Sequence, residues 1–102
     1  MSAMDYTVRD NPAELRYEIL AGDDLLGVIR YVSEPGTVVL VHTEIEPKAE
    51  GHGVGSQLVA GALADIRSRG LKLVPVCPFV RAYIVQHSEY DDLVVANPLP
   101  PD

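Results

Sequence analysis

The sequence predicts an α+β fold of the α/β hybrid kind, in which a mixed sheet is covered by two helices in the order ββββ-α-β-α. Short runs rich in Val, Ile, Leu and Tyr fill the first half and are separated by turn-forming residues. From Gly53 onward, apolar residues recur at the spacing of a helix instead of a strand. At 102 residues the chain fits one domain, predicted at 1–96, followed by an extended or disordered tail at 97–102.

Four strands are predicted in the first half, and the short turns between them favour an antiparallel meander. Their predicted ranges are 6–9, 15–20, 25–32 and 37–45. Within the second strand, Leu15, Tyr17 and Ile19 alternate with Arg16 and Glu18. This alternation predicts that the three apolar residues are buried and that the two charged residues lie on the other face.

The first helix is predicted from Val54, because apolar residues recur three and four positions apart. Its apolar stripe comprises Val54, Leu58, Val59, Ala62, Leu63 and Ile66. Gly70 suits the position just beyond the end of this helix. The apolar run 71–76 predicts a fifth strand parallel to the fourth, since a helical crossover joins them in the C-terminal half. Pro78 suits the first turn of a second helix.

The charge balance argues against nucleic acid as a partner, because 15 acidic residues face 8 basic ones and the net charge is −7. Such a surface suits a cationic or amine-bearing partner, and it also serves solubility. No apolar run is long enough to span a membrane and no secretory signal is visible, so a cytoplasmic protein without a membrane partner is expected. The uncovered sheet edges allow a monomer or a weak homodimer.

The histidines and the single cysteine match no zinc spacing, so no metal site is predicted. Gly51, Gly53 and Gly55 stand between the fourth strand and the first helix. A helix N-terminus presents free N–H groups and a positive dipole end, and glycines let the backbone approach an anion. The turn therefore suits a phosphate group, but the same glycines would serve equally in a plain tight connection. Neither the Rossmann nor the Walker A fingerprint is present.

Three further residues have two interpretations each. Cys77 directly precedes Pro78 and so occupies a helix N-cap, where free N–H groups and the helix dipole favour a thiolate; alternatively it is a small buried apolar residue. His42 and Glu44 alternate on one strand and share a face, which makes them either a proton-handling pair or ordinary polar residues at a solvated strand end.

The segments VHTEI (41–45), GHGVGS (51–56) and GLKLVPVCPFV (70–80), followed by Tyr83 and HSEY (87–90), together resemble one family. They are similar to the small, single-domain relatives of the GNAT superfamily of N-acetyltransferases. The resemblance covers about residues 15–94. It implies a minimal GNAT-like fold and an acyltransferase that moves the acetyl group of acetyl-CoA to an amine, either a small molecule or a peptide or protein lysine.

The resemblance also implies roles for individual residues. Main-chain groups of Ile45 and Glu46 pair with the pantetheine arm of CoA as if it were an extra strand. Backbone amides of the loop hold the pyrophosphate, and the residues concerned are Gly51, His52, Gly53, Val54, Gly55 and Ser56.

Two mechanisms are compatible with this site. In direct transfer, Glu44 or His42 acts as general base and Tyr83 or Cys77 returns a proton to the CoA thiolate. Pattern alone places Tyr83 in the core, and the resemblance is what suggests its catalytic role. In a ping-pong mechanism, Cys77 first accepts the acetyl group. Direct transfer is favoured because the wider superfamily usually works in that way.

One position departs from the family pattern. The loop of the family usually begins with Gln or Arg, where this chain has Glu50, and a carboxylate beside a pyrophosphate is unfavourable. Lys48, His52 and Arg81 are the cations that could compensate.

A second function is also compatible with the sequence. The chain lacks the helical insertion that in larger relatives shapes the acceptor site between the first two strands. The alternative is therefore a non-catalytic CoA-binding or protein-interaction module.

Overall fold

A computed structural model describes residues 5–95, so the predicted tail at 97–102 lies outside the described residues. Five strands form one mixed sheet in the order β1-β2-β3-β4-β5, as the sequence predicts. The strands are β1 (Thr7–Asn11), β2 (Arg16–Ala21), β3 (Asp24–Glu34), β4 (Thr37–Ile45) and β5 (Lys72–Pro75). The helices are α1 (Val54–Ser68) and α2 (Pro78–Gln86). Two short 3₁₀ segments, Pro47–Ala49 and Ser88–Leu93, were not predicted from the sequence.

Helix α1 connects two parallel strands, because β1 to β4 pair antiparallel and β5 pairs parallel with β4. All six residues of its predicted stripe are buried, and Gly70 follows its end with a φ of 68°. Helices α1 and α2 contact each other and pack on the same face of the sheet. We call the other face the helix-free face, since no helix of the described chain covers it. Within residues 5–95, no helix is long and apolar enough to cross a membrane.

A bulge in β4 decides which side chains face the helices. The register between β3 and β4 shifts after the pair Arg30 and His42, so that Val41 has no partner in β3. Leu40, before the bulge, is fully buried under the helices. Beyond the bulge it is Thr43, not His42, that contacts residues of the helical face. The extra residue therefore moves the odd-numbered positions of β4 onto the helical face.

The sheet opens between β4 and β5. Their pairing ends at Leu40 and Pro75, whereas β4 stays paired with β3 up to Ile45. At the end of the pairing, the N–H groups of Val76 and Cys77 both donate to the Leu40 carbonyl, at 3.0 and 2.9 Å. Residues 41–45 consequently have no strand partner on their β5 side within the described chain.

The alternation in the second strand is confirmed at Tyr17 and Ile19, which are buried, and is wrong at Leu15. Glu18 lies on the other face, as predicted, but it is buried there. Leu15 is 50% exposed and adopts a φ of 54° just before β2, whereas Glu18 is 1% exposed. Arg9, Asn11 and Arg16 donate hydrogen bonds of 2.9, 3.0 and 2.7 Å to the Glu18 carboxylate. Side chains of two adjacent strands thus cover this charge on the helix-free face.

Candidate active site

A groove lies where the end of β4, the start of α1 and the first turn of α2 meet. Its cavity volume is about 430 Å³. The lining residues are Thr43, Ile45, 49–51, 53–56 and Phe79. The opening between β4 and β5 leads into this space, so the groove is open along the unpaired edge of β4. The N-terminus of α1 forms part of its lining.

The loop before α1 has the backbone conformation that an anion site needs. Gly51 and Gly53 have φ values of 82° and 74°, and no atom lies within 4 Å of the position that a Cβ would take at either residue. Gly53 is the N-cap of α1 and offers no side chain to the helix. Within the described chain, the N–H groups of residues 51–56 have no hydrogen-bond acceptor. These donors are available to an anion such as a phosphate group.

Gly55 lines the same groove for a different reason. Its φ is not positive, but a Cβ there would lie 2.8 Å from Cζ of Phe79. The absence of a side chain lets the aromatic ring pack against the first turn of α1. Phe79 itself is 43% exposed and forms one wall of the groove.

The structure separates two other residues of the predicted cofactor site from the groove. His52 lines a second cavity, of about 200 Å³, on the other side of the loop. The main chain of Glu46 is already engaged, because its N–H donates to the Leu26 carbonyl at 2.8 Å and its carbonyl accepts from Ala49 at 2.9 Å. Ile45 does line the groove, at the end of the unpaired edge of β4.

Cys77 occupies the N-cap of α2, the position that the sequence predicts. It is 3% exposed, and its Sγ lies 3.3 Å from Oγ1 of Thr43. Thr43 lines the groove and Cys77 does not. The thiol is therefore one side chain behind the groove wall, hydrogen-bonded to the hydroxyl that forms it.

His42 and Glu44 lie together on the helix-free face, beside the opening between β4 and β5. Nε2 of His42 is 3.3 Å from Oε2 of Glu44, and both side chains are more than half exposed. The bulge places this pair on the opposite face from Thr43, so that it reaches the opening from the other side of the sheet. A proton acceptor at this position is accessible to solvent.

Tyr83 is one turn further along α2 and does not line the groove. Its ring stacks on His87, with centroids 3.8 Å apart and planes within 9°. Burial, together with Tyr90 and Glu89, raises the pKa of Tyr83 above its usual value. The phenol is therefore protonated at neutral pH.

One carboxylate lines the groove, and no Lys, Arg or His is among the described lining residues. Glu50 lines the groove, while Lys48 forms a salt bridge with Asp24, with Nζ 2.6 Å from the carboxylate oxygen.

No group of three or more His, Cys, Asp or Glu side chains suited to a metal ion occurs within residues 5–95.

Sequence reasoning missed Thr43 and Phe79 as groove residues. The signal for Phe79 is Gly55, since a glycine without positive φ inside a helix indicates a close neighbour. No comparable signal exists for Thr43, because alternation alone assigns it to the wrong face unless the bulge is known.

Comparisons with known proteins agree with this architecture. A family model described as GCN5-related N-acetyl-transferase matches residues 16–93. The chain is also similar to the NMR solution structure of a GCN5-like candidate N-acetyltransferase from Staphylococcus aureus, with a TM-score of 0.65 and 22% identity. That likeness covers 93% of this chain and 91% of the other, and it supports the fold. Comparison with curated proteins finds no match.

Proposed function

The chain belongs to the GCN5-related N-acetyltransferase family, and from this premise we propose that it transfers an acetyl group from acetyl-CoA to an amine. One observation carries the proposal. Free N–H donors at residues 51 and 53–56 line the same groove as Thr43 and Ile45, which belong to the unpaired strand edge at residues 41–45. The first feature suits a pyrophosphate, and the second suits an extended arm that ends in a thioester.

On the groove side, the chain binds and orients acetyl-CoA. Amides of the loop would hold the pyrophosphate, and the unpaired edge of β4, from Ile45 toward Val41, would pair with the pantetheine arm. This would bring the thioester to the opening between β4 and β5. A main-chain N–H on the edge of β4 that has no β5 partner would stabilise negative charge on the carbonyl oxygen.

On the other side, the acceptor amine approaches from the helix-free face. Glu44 or His42 removes the ammonium proton, and the amine nitrogen attacks the thioester carbon. The C–S bond breaks as the C–N bond is completed, and the CoA thiolate takes a proton from Tyr83 or Cys77. The new amide nitrogen releases its second proton, which restores that donor through water. Either donor needs a water or a small shift to reach the thiolate, since neither lines the groove.

The buried position of Cys77 supports direct transfer over a ping-pong mechanism. A nucleophile must reach the thioester carbon, whereas Cys77 is 3% exposed and its thiol is hydrogen-bonded to Thr43. We therefore expect Cys77→Ala to retain turnover within about tenfold of wild type, because the thiol lies behind Thr43 and Tyr83 remains as a proton donor. CoA release would be measured with a thiol reagent, and mass spectrometry would look for an acetylated cysteine. An acetyl-enzyme burst together with an inactive Cys77→Ala would establish the ping-pong mechanism instead.

Cofactor binding is the first experiment. A thermal-shift titration with acetyl-CoA, CoA and dephospho-CoA should raise Tm by about 10 °C or more once the ligand is at a hundredfold excess over its Kd. CoA release is then followed over a panel of amines and lysine peptides. Absence of any Tm shift at millimolar ligand would remove the CoA site altogether.

A non-catalytic module is the second candidate, and one observation favours it. Only residues 12–15 join β1 to β2, so the described chain places no helix over the acceptor side of the sheet. Binding of CoA without release of CoA from acetyl-CoA across the whole panel would select the module.

A further inference from the structure

Five valines form one apolar surface on the helix-free face, beside His42 and Glu44. We propose that this surface seats apolar side chains that flank the acceptor lysine of a peptide. The inference rests on the proposed function and adds the class of acceptor to it. We call the surface the valine shelf; its members are Val32, Val39, Val41, Val74 and Val76.

Register places three of these residues in one row across the sheet. Val32 of β3 pairs with Val39 of β4, and Val39 pairs with Val74 of β5. Side chains at matched positions of adjacent strands point to the same face. Leu73, next to Val74, is fully buried on the helical face, so the row lies on the helix-free face. Val32 is 47% exposed.

The other two members extend the row to the opening in the sheet. Val41 is the bulge residue of β4, and Val76 follows the last paired residue of β5. They are 39% and 38% exposed and flank the point where the two strands separate. The shelf therefore runs from the mouth of the opening, where the thioester is proposed to lie, away across three strands.

The size of the shelf favours a peptide over a small amine. Three adjacent strands span about 10 Å, since neighbouring strands lie roughly 4.8 Å apart. A small amine that reacts at the opening cannot cover this distance. An extended peptide can, because it advances about 3.3 Å per residue and can lay several side chains along the row.

Charge on the same face selects the residue that reacts. Glu44 is an exposed carboxylate beside the opening, and its ionic partner is His42, not Arg30, the exposed cation that pairs with His42 on the same face. The chain as a whole carries a net charge of −7. A lysine ammonium is attracted to this position, while its apolar neighbours have an apolar surface beside it. The occupant that fits both features is a lysine with apolar flanking residues.

The test compares two short peptides with one lysine each, flanked by leucine in the first and by serine in the second. Anisotropy of the labelled peptides would give Kd for the full-length protein with and without CoA. We expect the leucine-flanked peptide to bind about tenfold more tightly, and Val32→Thr to weaken it about fourfold, the effect of losing roughly one buried methyl group. Val85→Thr, which alters a 77% exposed valine on α2, is the matched control and should change nothing.

The outcomes separate this inference from the proposed function. If the protein does not bind CoA, the proposed function is wrong. The peptide preference measured without CoA would still test the valine shelf. Equal affinity for the two peptides would overturn the inference even if amines are acetylated. Sedimentation at several protein concentrations completes the test, because a dimer that Val32→Thr dissociates, without a change in peptide affinity, would assign the shelf to a second copy of this chain.

Discussion

Glu50 is the residue whose chemistry conflicts most with its position. It lines the groove next to the free N–H groups of the loop, where an anionic ligand is proposed to bind. Lys48, the nearest lysine or arginine in sequence, forms a salt bridge with Asp24. The carboxylate therefore repels a pyrophosphate, and the backbone donors provide the attraction against that repulsion. Salt screens the repulsion by this exposed charge more than it weakens the attraction by neutral N–H groups.

Replacing Glu50 by glutamine should therefore tighten CoA binding by about fivefold at low salt, because two unit charges about 4 Å apart in water interact by about 1 kcal/mol. Titration calorimetry at low and high ionic strength would measure the change, and the gain should shrink as salt screens the charge. Glu46→Gln is the control, since Glu46 is exposed but does not line the groove. A large loss of affinity in Glu50→Gln would show that the carboxylate holds the loop or the ligand.

At the scale of single elements, the entrance to α1 combines two functions in one turn. The helix needs an N-cap, and the groove needs a backbone that exposes its N–H groups. Gly53 satisfies both with a left-handed conformation, at the cost of any side-chain cap. Whatever binds these N–H groups therefore also caps the helix.

Gly53→Ala and Gly36→Ala form a matched pair that separates the two functions. Both glycines have φ near 74°, at 74° and 73°, and both have open space where a Cβ would lie. Each alanine should destabilise the fold by about 1 kcal/mol through backbone strain. Only Gly53→Ala should also weaken CoA binding, because it distorts the loop, whereas Gly36 lies in the turn between β3 and β4. Chemical denaturation and CoA titration of both variants would check this, and equal CoA affinity in the two would argue against a role for the loop.

Sequence periodicity predicted where the helices and strands lie better than it predicted which strand side chains are buried on each face of the sheet. The stripe of α1 follows from its spacing alone, since every member is buried by the same regular geometry. The bulge at Val41 could not be predicted, because an apolar run is compatible with one extra residue at any position. This one residue decides that Thr43 lines the groove and that His42 does not. Burial of Glu18 could not be predicted from the sequence either, because it depends on hydrogen-bond donors from two strands, Arg9, Asn11 and Arg16.

At the scale of the whole molecule, two polar clusters on opposite faces of the sheet link its first strands: one involves β1, β2, β3 and α1, and the other joins β1 to β2. On the helical face, Tyr17 donates to Asp65 of α1 at 2.6 Å, and Tyr31 donates to Asp10 at 2.6 Å. On the helix-free face, the Glu18 carboxylate accepts its three hydrogen bonds. Burial alone would raise the pKa of Glu18, but hydrogen bonds from its partners outweigh this and lower it to about 2.

This lowered pKa makes Glu18 a source of acid sensitivity. Its folded pKa of about 2 lies below the ordinary value of 4.5, so its contribution is complete above about pH 4.5 and is lost as pH falls toward 2. The contribution is about 3 kcal/mol at neutral pH. Glu18→Gln should therefore destabilise the protein at pH 7 and much less near pH 2.5. Urea unfolding at both values would measure this, with Glu14→Gln, in an exposed turn, as control; an equal loss at both values would contradict the ionic origin.

The bulge in β4 also has a genetic consequence. Side chains of a strand alternate with a period of two. The single codon for Val41 therefore determines which face of the sheet each side chain from His42 to Ile45 occupies. Loss of that codon would exchange the occupants of the two faces: an imidazole and a carboxylate would enter the groove, and a hydroxyl and an aliphatic chain would lie on the helix-free face. Substitutions in this strand change one face at a time, whereas a single in-frame deletion would change both faces at once.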